Sequence, residues 1–251
     1  MTPQGRAPYL NWRIRSHADV WRDLVRKVTP RRPLVIAVDG ISGSGKTTLA
    51  AALADLHQRC AVVHTDDIAW HQSFFDWADL LIEHVLEPLR LDGAPITYTP
   101  QAWTQRNRPG AIVIDARTSV VLIEGVGAAR RELRPWLDAV IWVDTQPDVG
   151  LARVAARGVD TPQFIDEWTR EERAFLADHK PWEIADVLVS GYVREDLVQS
   201  GRVLAARGSG LGEKPSSMAA AIEVPLVDPD RPDSNDIDSV RLGRFGESVN
   251  L

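Results

Sequence analysis

Short apolar runs rich in β-branched residues recur along the chain at Leu34-Val35-Ile36-Ala37-Val38, Ala61-Val62-Val63, Val120-Val121-Leu122-Ile123, Ala139-Val140-Ile141-Trp142-Val143 and Val187-Leu188-Val189. Runs of this length without polar alternation read as strands covered on both faces, the mark of a parallel sheet. Between them, apolar residues follow helical spacing over about 46–58, 77–91, 128–137, 146–157 and 163–178. An earlier helix is expected from Ser16, where Val20, Trp21, Leu24, Val25 and Val28 form one face and Thr29-Pro30 stops it. Strands alternating with helices predict an α/β fold of three layers, α/β/α, around a five-stranded, mainly parallel sheet.

Two stretches lack any periodicity. Residues 1–15 carry Pro, Gly and Arg and read as a loose arm, so 1–30 is expected to be an arm and a helix. Residues 31–207 form the main domain. From Gly208 the composition shifts, and Val227–Ser239 packs five Asp and two Pro into thirteen residues. Such a segment cannot bury enough apolar surface to offset its ordering entropy, so 208–251 reads as a weakly ordered acidic tail, or a partner-binding one.

Composition narrows the classes. The 251 residues are 44% hydrophobic and 25% charged, ordinary globular values, with a formal charge of −6. A broad electrostatic nucleic-acid surface is not expected. No apolar stretch approaches the ~18 residues of a membrane span, and the first residues lack a signal-peptide core. Cys60 is the single cysteine, so neither an intrachain disulfide nor a cysteine zinc cluster can form. A cytoplasmic protein without membrane or nucleic-acid partners is expected, its oligomeric state open.

The most informative motif is Gly40-Ile41-Ser42-Gly43-Ser44-Gly45-Lys46-Thr47, which matches G-x-x-x-x-G-K-[ST] in full. It follows a strand and opens a helix, as its mechanism requires. Its glycines let successive backbone N–H groups turn inward, and the helix N-terminus adds partial positive charge to the same spot. Lys46 would reach the outer phosphates of ATP or GTP and Thr47 would hold Mg²⁺. Acids end four of the strands: Asp39, Asp66-Asp67, Glu124 and Asp144. Ligands of open α/β sheets gather at these strand ends, where carboxylates can orient a metal or take a hydroxyl proton. Asp144 precedes a helix start and reads better as a cap.

From about Pro33 to Gly191, the segments VIAVDGISGSGKTT, HTDDIAW, FFDWADLLIEHVLEPLR, VVLIEGVGAARREL, DAVIWVD and KPWEIADVLVSG stand in order. This set resembles the uridine kinase-like branch of the P-loop kinases, related to phosphoribulokinase and type I pantothenate kinase. The resemblance implies a P-loop NTPase fold with a helical lid, and transfer of the ATP γ-phosphate to a small-molecule hydroxyl with Mg²⁺. It makes Asp66 the general base and Glu124 the acid that orients the metal with Thr47. Gly40, Ser42, Gly43, Ser44, Gly45, Lys46, Thr47 and Thr48 become the nucleotide cradle. Arg153 and Arg157 match the arginine-bearing lid, whose arginines would neutralise charge on the transferring phosphoryl group, Arg157 as a catalytic residue and Arg153 in the nucleotide site, with the one that contacts the phosphates left open. Val159 stands where the family usually has Arg.

The acceptor side departs from the family. Nucleoside-using relatives carry Y-D-[FW], whereas Tyr98-Thr99-Pro100-Gln101-Ala102-Trp103-Thr104 keeps the Trp and lacks the Asp. The acceptor, nucleoside-like or otherwise, is therefore open. Trp70, Trp77 and Trp103 fall in the segments expected to wall its pocket, while Trp21, Trp142 and Trp168 read as core. Two other readings remain: a nucleoside monophosphate kinase using Arg130, Arg131 and Arg134, and a nucleotide-binding regulator without acceptor chemistry.

Overall fold

A computed structural model describes residues 12–26, 33–191 and 200–209. The elements run β1 (Arg13–Ser16), α1 (His17–Arg26), β2 (Leu34–Gly40), α2 (Lys46–Asp55), β3 (Cys60–His64), α3 (Thr65–Ala69) and α4 (Ala78–Leu81). A π turn (Ile82–Leu86) continues α4 into α5 (Glu87–Leu91), followed by β4 (Ile96–Tyr98), α6 (Gln101–Gln105), β5 (Ile112–Ile114) and β6 (Val120–Glu124). The rest is β7 (Ala139–Asp144), α7 (Pro147–Arg157), α8 (Pro162–His179), β8 (Val187–Ser190) and β9 (Arg202–Arg207).

The five expected strands form the parallel part of one sheet in the order β8-β7-β2-β6-β3. The sheet has seven strands rather than five, because β9 pairs antiparallel with β8 and β1 with β9. Residues 13–15 are thus strand, not loose arm. Both added strands carry charged, exposed residues at their ends, so neither shows the continuous apolar run of a buried strand. The pair β4–β5 forms a separate antiparallel ribbon.

Alternation along each central strand builds two cores. Leu34, Ile36 and Val38 of β2 face Val20, Trp21 and Leu24 of α1 and Leu49, Ala50 and Leu53 of α2. Val35 and Ala37 face the opposite layer with Ile68, Leu81, Leu86, Leu89 and Trp142. Helices on both faces explain why these strands carry apolar residues at every position. The helix expected over 128–137 is a series of turns with a short 3-10 segment at Arg134–Trp136. Here the apolar residues Ala128, Ala129 and Leu133 are buried, but Asp39 accepts hydrogen bonds from the amides of Gly127 and Ala129, fixing a loop instead of a helix. Among the described residues no helix is long and apolar enough to cross a membrane. The acidic segment from 210 onward lies outside the described residues.

Candidate active site

The nucleotide loop connects β2 to α2 at the carboxyl edge of the sheet, between the strand's two parallel neighbours β6 and β7. Gly43 and Gly45 have φ of 72° and 97°, a left-handed region that other residues enter only with strain. A tight turn from Ser44 N–H to Ile41 C=O (3.1 Å) closes the loop. No side chain caps α2, so its first amides have no such partner, and Gly45, Lys46, Thr47 and Thr48 line an open cleft of about 310 Å³. Free N–H groups at the positive end of a helix constitute an anion site.

Charged side chains converge on that cleft. Lys46 is buried, and its Nζ donates to Ile41 C=O at 3.0 Å. Thr47 Oγ1 donates to Glu124 Oε1 at 3.2 Å, and Glu124 Oε2 lies 2.6 Å from His64 Nδ1. Glu124 raises the pKa of His64, which favours an imidazolium in this pair. Asp66, at the start of α3, opens into the same cleft. The enclosing walls desolvate its carboxyl and raise its pKa, while Lys46 pulls the other way and Glu124 adds to the rise. Two hydroxyl or carboxylate oxygens at Thr47 and Glu124, side by side, suit a hard cation that prefers oxygen ligands.

Asp39 has a different place. It is fully buried, with its oxygens accepting from Gly40 N (2.7 Å), Gly127 N (3.0 Å) and Ala129 N (2.9 Å). Burial pushes its carboxyl up to about 6 despite those three amides and the nearby Lys46. It organises the loop after β6 and does not reach the cleft. Asp144 accepts from Trp142 Nε1 at 3.2 Å and does not cap α7, whose N-cap is Gln146.

The lid-like pair α7–α8 forms one wall. Gly150 is the buried residue of α7, and it lies directly on Gly43, where even one added Cβ would meet backbone. Arg153 donates to Gly43 C=O (3.1 Å) and Gly191 C=O (3.0 Å), tying the loop to the end of β8. Arg157, at the last turn of α7, lines the cleft with Asp160, Phe164, Ile165 and Trp168. Trp168 therefore belongs to the cleft rather than to the core. A helix-spaced apolar pattern does not separate these roles, since a ring can complete a core face and still show an edge to a cleft.

Of the tryptophans expected to wall the acceptor pocket, none lines this cleft. Trp77 is core, and Trp103 is buried with Nε1 donating to Asp67 C=O at 3.0 Å. The Arg108 guanidinium sits 3.7 Å from the Trp103 ring centre and 5.1 Å from that of Trp70, paired with Asp67. This stack of Trp70, Arg108 and Trp103 lies outside the residues lining the cleft. Arg130, Arg131 and Arg134 are likewise engaged. They meet Glu132 and Phe75 C=O, Asp178, and His179 C=O respectively. Sequence reasoning missed Phe164, Ile165 and Gly150. Only the glycine in the middle of a helix offered a signal, because Gly there is otherwise unfavourable.

Known proteins with related sequences carry a common description. The chain is 31% identical over 148 residues to the uridine kinase of Geobacillus kaustophilus, covering 51% of this chain and 69% of that protein. Over 162 residues it is 25% identical to the uridine kinase of Streptococcus thermophilus, covering 55% of this chain and 76% of that protein. A solved structure described as a possible uridine kinase from Bacillus stearothermophilus aligns with a TM-score of 0.49 at 21% identity, covering 68% of this chain and 96% of that one. No protein-family model matches the chain. With a P-loop on a parallel α/β sheet and this extent of sequence identity, the chain belongs to the uridine kinase family of P-loop kinases.

Proposed function

We propose that the protein transfers the γ-phosphate of ATP to a hydroxyl of a small molecule. The observation that carries this reading is that the open amides of α2, the Thr47–Glu124 pair and the Asp66 carboxyl share one cleft. A switch that only binds nucleotide has no use for a carboxylate opposite the phosphate loop. In this reading the cradle from Gly40 to Thr48 binds the phosphates, and Lys46 leaves Ile41 C=O to neutralise them. Thr47 and Glu124 would hold Mg²⁺, which supplies charge neutralisation between the outer phosphates.

Asp66 accepts the proton of the acceptor hydroxyl as its oxygen bonds to the γ-phosphorus. The bond from that phosphorus to the ADP oxygen breaks in line. The Asp66 carboxyl, whose pKa burial raises, is a better base than that of an ordinary aspartate. His64 holds Glu124 on its far oxygen, leaving the near one to Thr47. Arg157 would meet the charge that develops on the transferring group.

A phosphate acceptor would call for free arginines. The three candidates are engaged with protein groups away from the cleft, which favours a hydroxyl acceptor over a monophosphate. The Tyr98–Thr104 segment still lacks the acid that would grip a ribose diol, so uridine itself does not follow.

The test pairs variants with a panel. Lys46→Ala is expected to lose nucleotide binding and transfer together. Asp66→Asn should bind Mg²⁺·ATP like the parent protein while transfer falls by at least about 100-fold, the scale of a lost general base. Nucleosides, their monophosphates and other hydroxylated metabolites would be screened by ATP consumption. Full turnover by Asp66→Asn, or activity restricted to monophosphates, would overturn the assignment.

A further inference from the structure

Ser42, inside the nucleotide loop, is held from behind by α8. Glu172 Oε1 accepts the Ser42 N–H at 2.7 Å, and Trp168 Nε1 donates to Ser42 Oγ at 2.7 Å. Trp168 and Glu172 stand four positions apart, so one face of the helix presents both. Between Ile41–Ser42 and the helices lies a cavity of about 280 Å³, walled by Trp142, Leu151, Ile165, Leu176 and Trp182. Beside that cavity two hydrogen bonds join α8 to the loop, which α7 also touches through Gly150 and Arg153.

The chemistry of Glu172 sharpens the point. It is only 7% exposed, and among the described residues it forms no salt bridge. A buried carboxylate without a counter-charge is unfavourable in itself, so what it holds explains its place better than the stability of α8 does. Trp168 has a second neighbour set. Its ring stacks on Phe75 (5.2 Å, 28°) and meets Phe74 edge-on (5.4 Å, 81°). Phe74 and Phe75 follow α3, the helix that carries Asp66. One side chain thus touches the donor loop and the segment beyond the proposed base.

The geometry points to Glu172 and Trp168 as positioning residues that set Ser42, with Trp168 relaying the placement of the Phe74–Phe75 segment to the nucleotide loop. This inference rests on the reading of the cleft as a nucleotide site. An anion cradle works only when its amides are aimed before the ligand arrives. Without Glu172 the Ser42 N–H has no acceptor behind it, and the loop can turn.

The experiment is isothermal titration of the full chain with Mg²⁺ and a non-hydrolysable ATP analogue. Thermal unfolding of every variant would be measured alongside. Glu172→Ala is expected to bind about tenfold more weakly, the effect of one unsatisfied buried amide. Glu172→Gln keeps an accepting oxygen and should stay within about threefold of the parent. Phe75→Leu lies outside the cleft, yet should weaken binding about threefold, and that effect should vanish in a Trp168→Phe background. Parent-like affinity in Glu172→Ala, or equal losses in Glu172→Gln and Glu172→Ala, would overturn the role of Glu172. Independent, additive effects of Phe75→Leu and Trp168→Phe would overturn the relay. Should Glu172→Ala not fold, Glu172→Gln and the Phe75–Trp168 cycle decide. Absence of binding by the parent protein would overturn the nucleotide reading itself. Parent binding with insensitive variants would overturn the positioning alone.

Discussion

Replacing Gly150 with alanine sets two effects of comparable size against each other. Gly150 lies inside α7, where alanine is a better helix former by about 0.8–1 kcal/mol. On propensity alone the variant should be more stable. The added Cβ, however, would fall 2.6 Å from Ser42 C=O oxygen and 2.9 Å from Ile41 Cδ1. The first of these is backbone in a loop whose turn is already fixed by Gly43, so no rotamer change relieves it. Overpacking of this kind costs roughly 1–3 kcal/mol, which exceeds the propensity gain. A net loss of about 1 kcal/mol is expected, lowering Tm by about 2–4 °C for a chain of this size.

The larger effect should fall on chemistry. To restore contact distance α7 must withdraw by roughly half an ångström to one ångström, and it carries Arg153 and Arg157 with it. Misplacement on that scale costs up to about 100-fold in rate. Thermal unfolding and steady-state kinetics of Gly150→Ala, once an acceptor is in hand, read both quantities. Nucleotide titration reads the loop without an acceptor. A variant that is more stable than the parent, with unchanged kcat/KM, would refute the argument that α7 and the loop must touch backbone to backbone.

Asp39→Asn should be destabilising although it removes a buried charge, because its NH₂ would face the Ala129 N–H that now finds a carboxylate oxygen. The expected cost is about 1–3 kcal/mol in chemical unfolding. The folded carboxyl titrates at about 6, above its ordinary value of 3.8, so the protonated form is the one the fold favours. Its stabilising contribution is complete below about pH 4 and is lost as pH rises through 6. The stability gap between parent and variant should therefore narrow between pH 4 and 7, and a flat gap would contradict the placement. Arg108→Ala removes the ion pair with Asp67 and uncovers Trp103. Unfolding should then become easier by about 1–2 kcal/mol while nucleotide affinity stays as it was. Altered affinity would place this stack in the cleft after all.

The central strands and their helices were legible because their information is local. β2, β6 and β7 are buried on both faces, and that condition leaves an unbroken apolar run that needs no partner to be recognised. The P-loop was legible for the same reason, since its glycines, Lys46 and Thr47 act through one continuous turn. β1 and β9 left no such mark, because an edge strand is defined by the neighbour it pairs with. The turns at 128–137 carry helical spacing, but the carboxylate that shapes them comes from β2, some ninety positions earlier.

The sequence by itself thus determined the architecture, the phosphate loop and the acids that end the strands. It did not determine which side chains look into the cleft. Trp103 and Trp168 are indistinguishable as letters in an apolar pattern, yet one is roofed by Arg108 and the other stands between the nucleotide loop and Phe75. Those outcomes depend on contacts between residues up to 130 positions apart, such as Ser42 with Glu172. Periodicity records only whether a side chain is turned toward the rest of the protein. What it meets there is settled by tertiary packing, of Arg108 and Asp67 around Trp103 and of α7 and α8 against the sheet edge around Trp168.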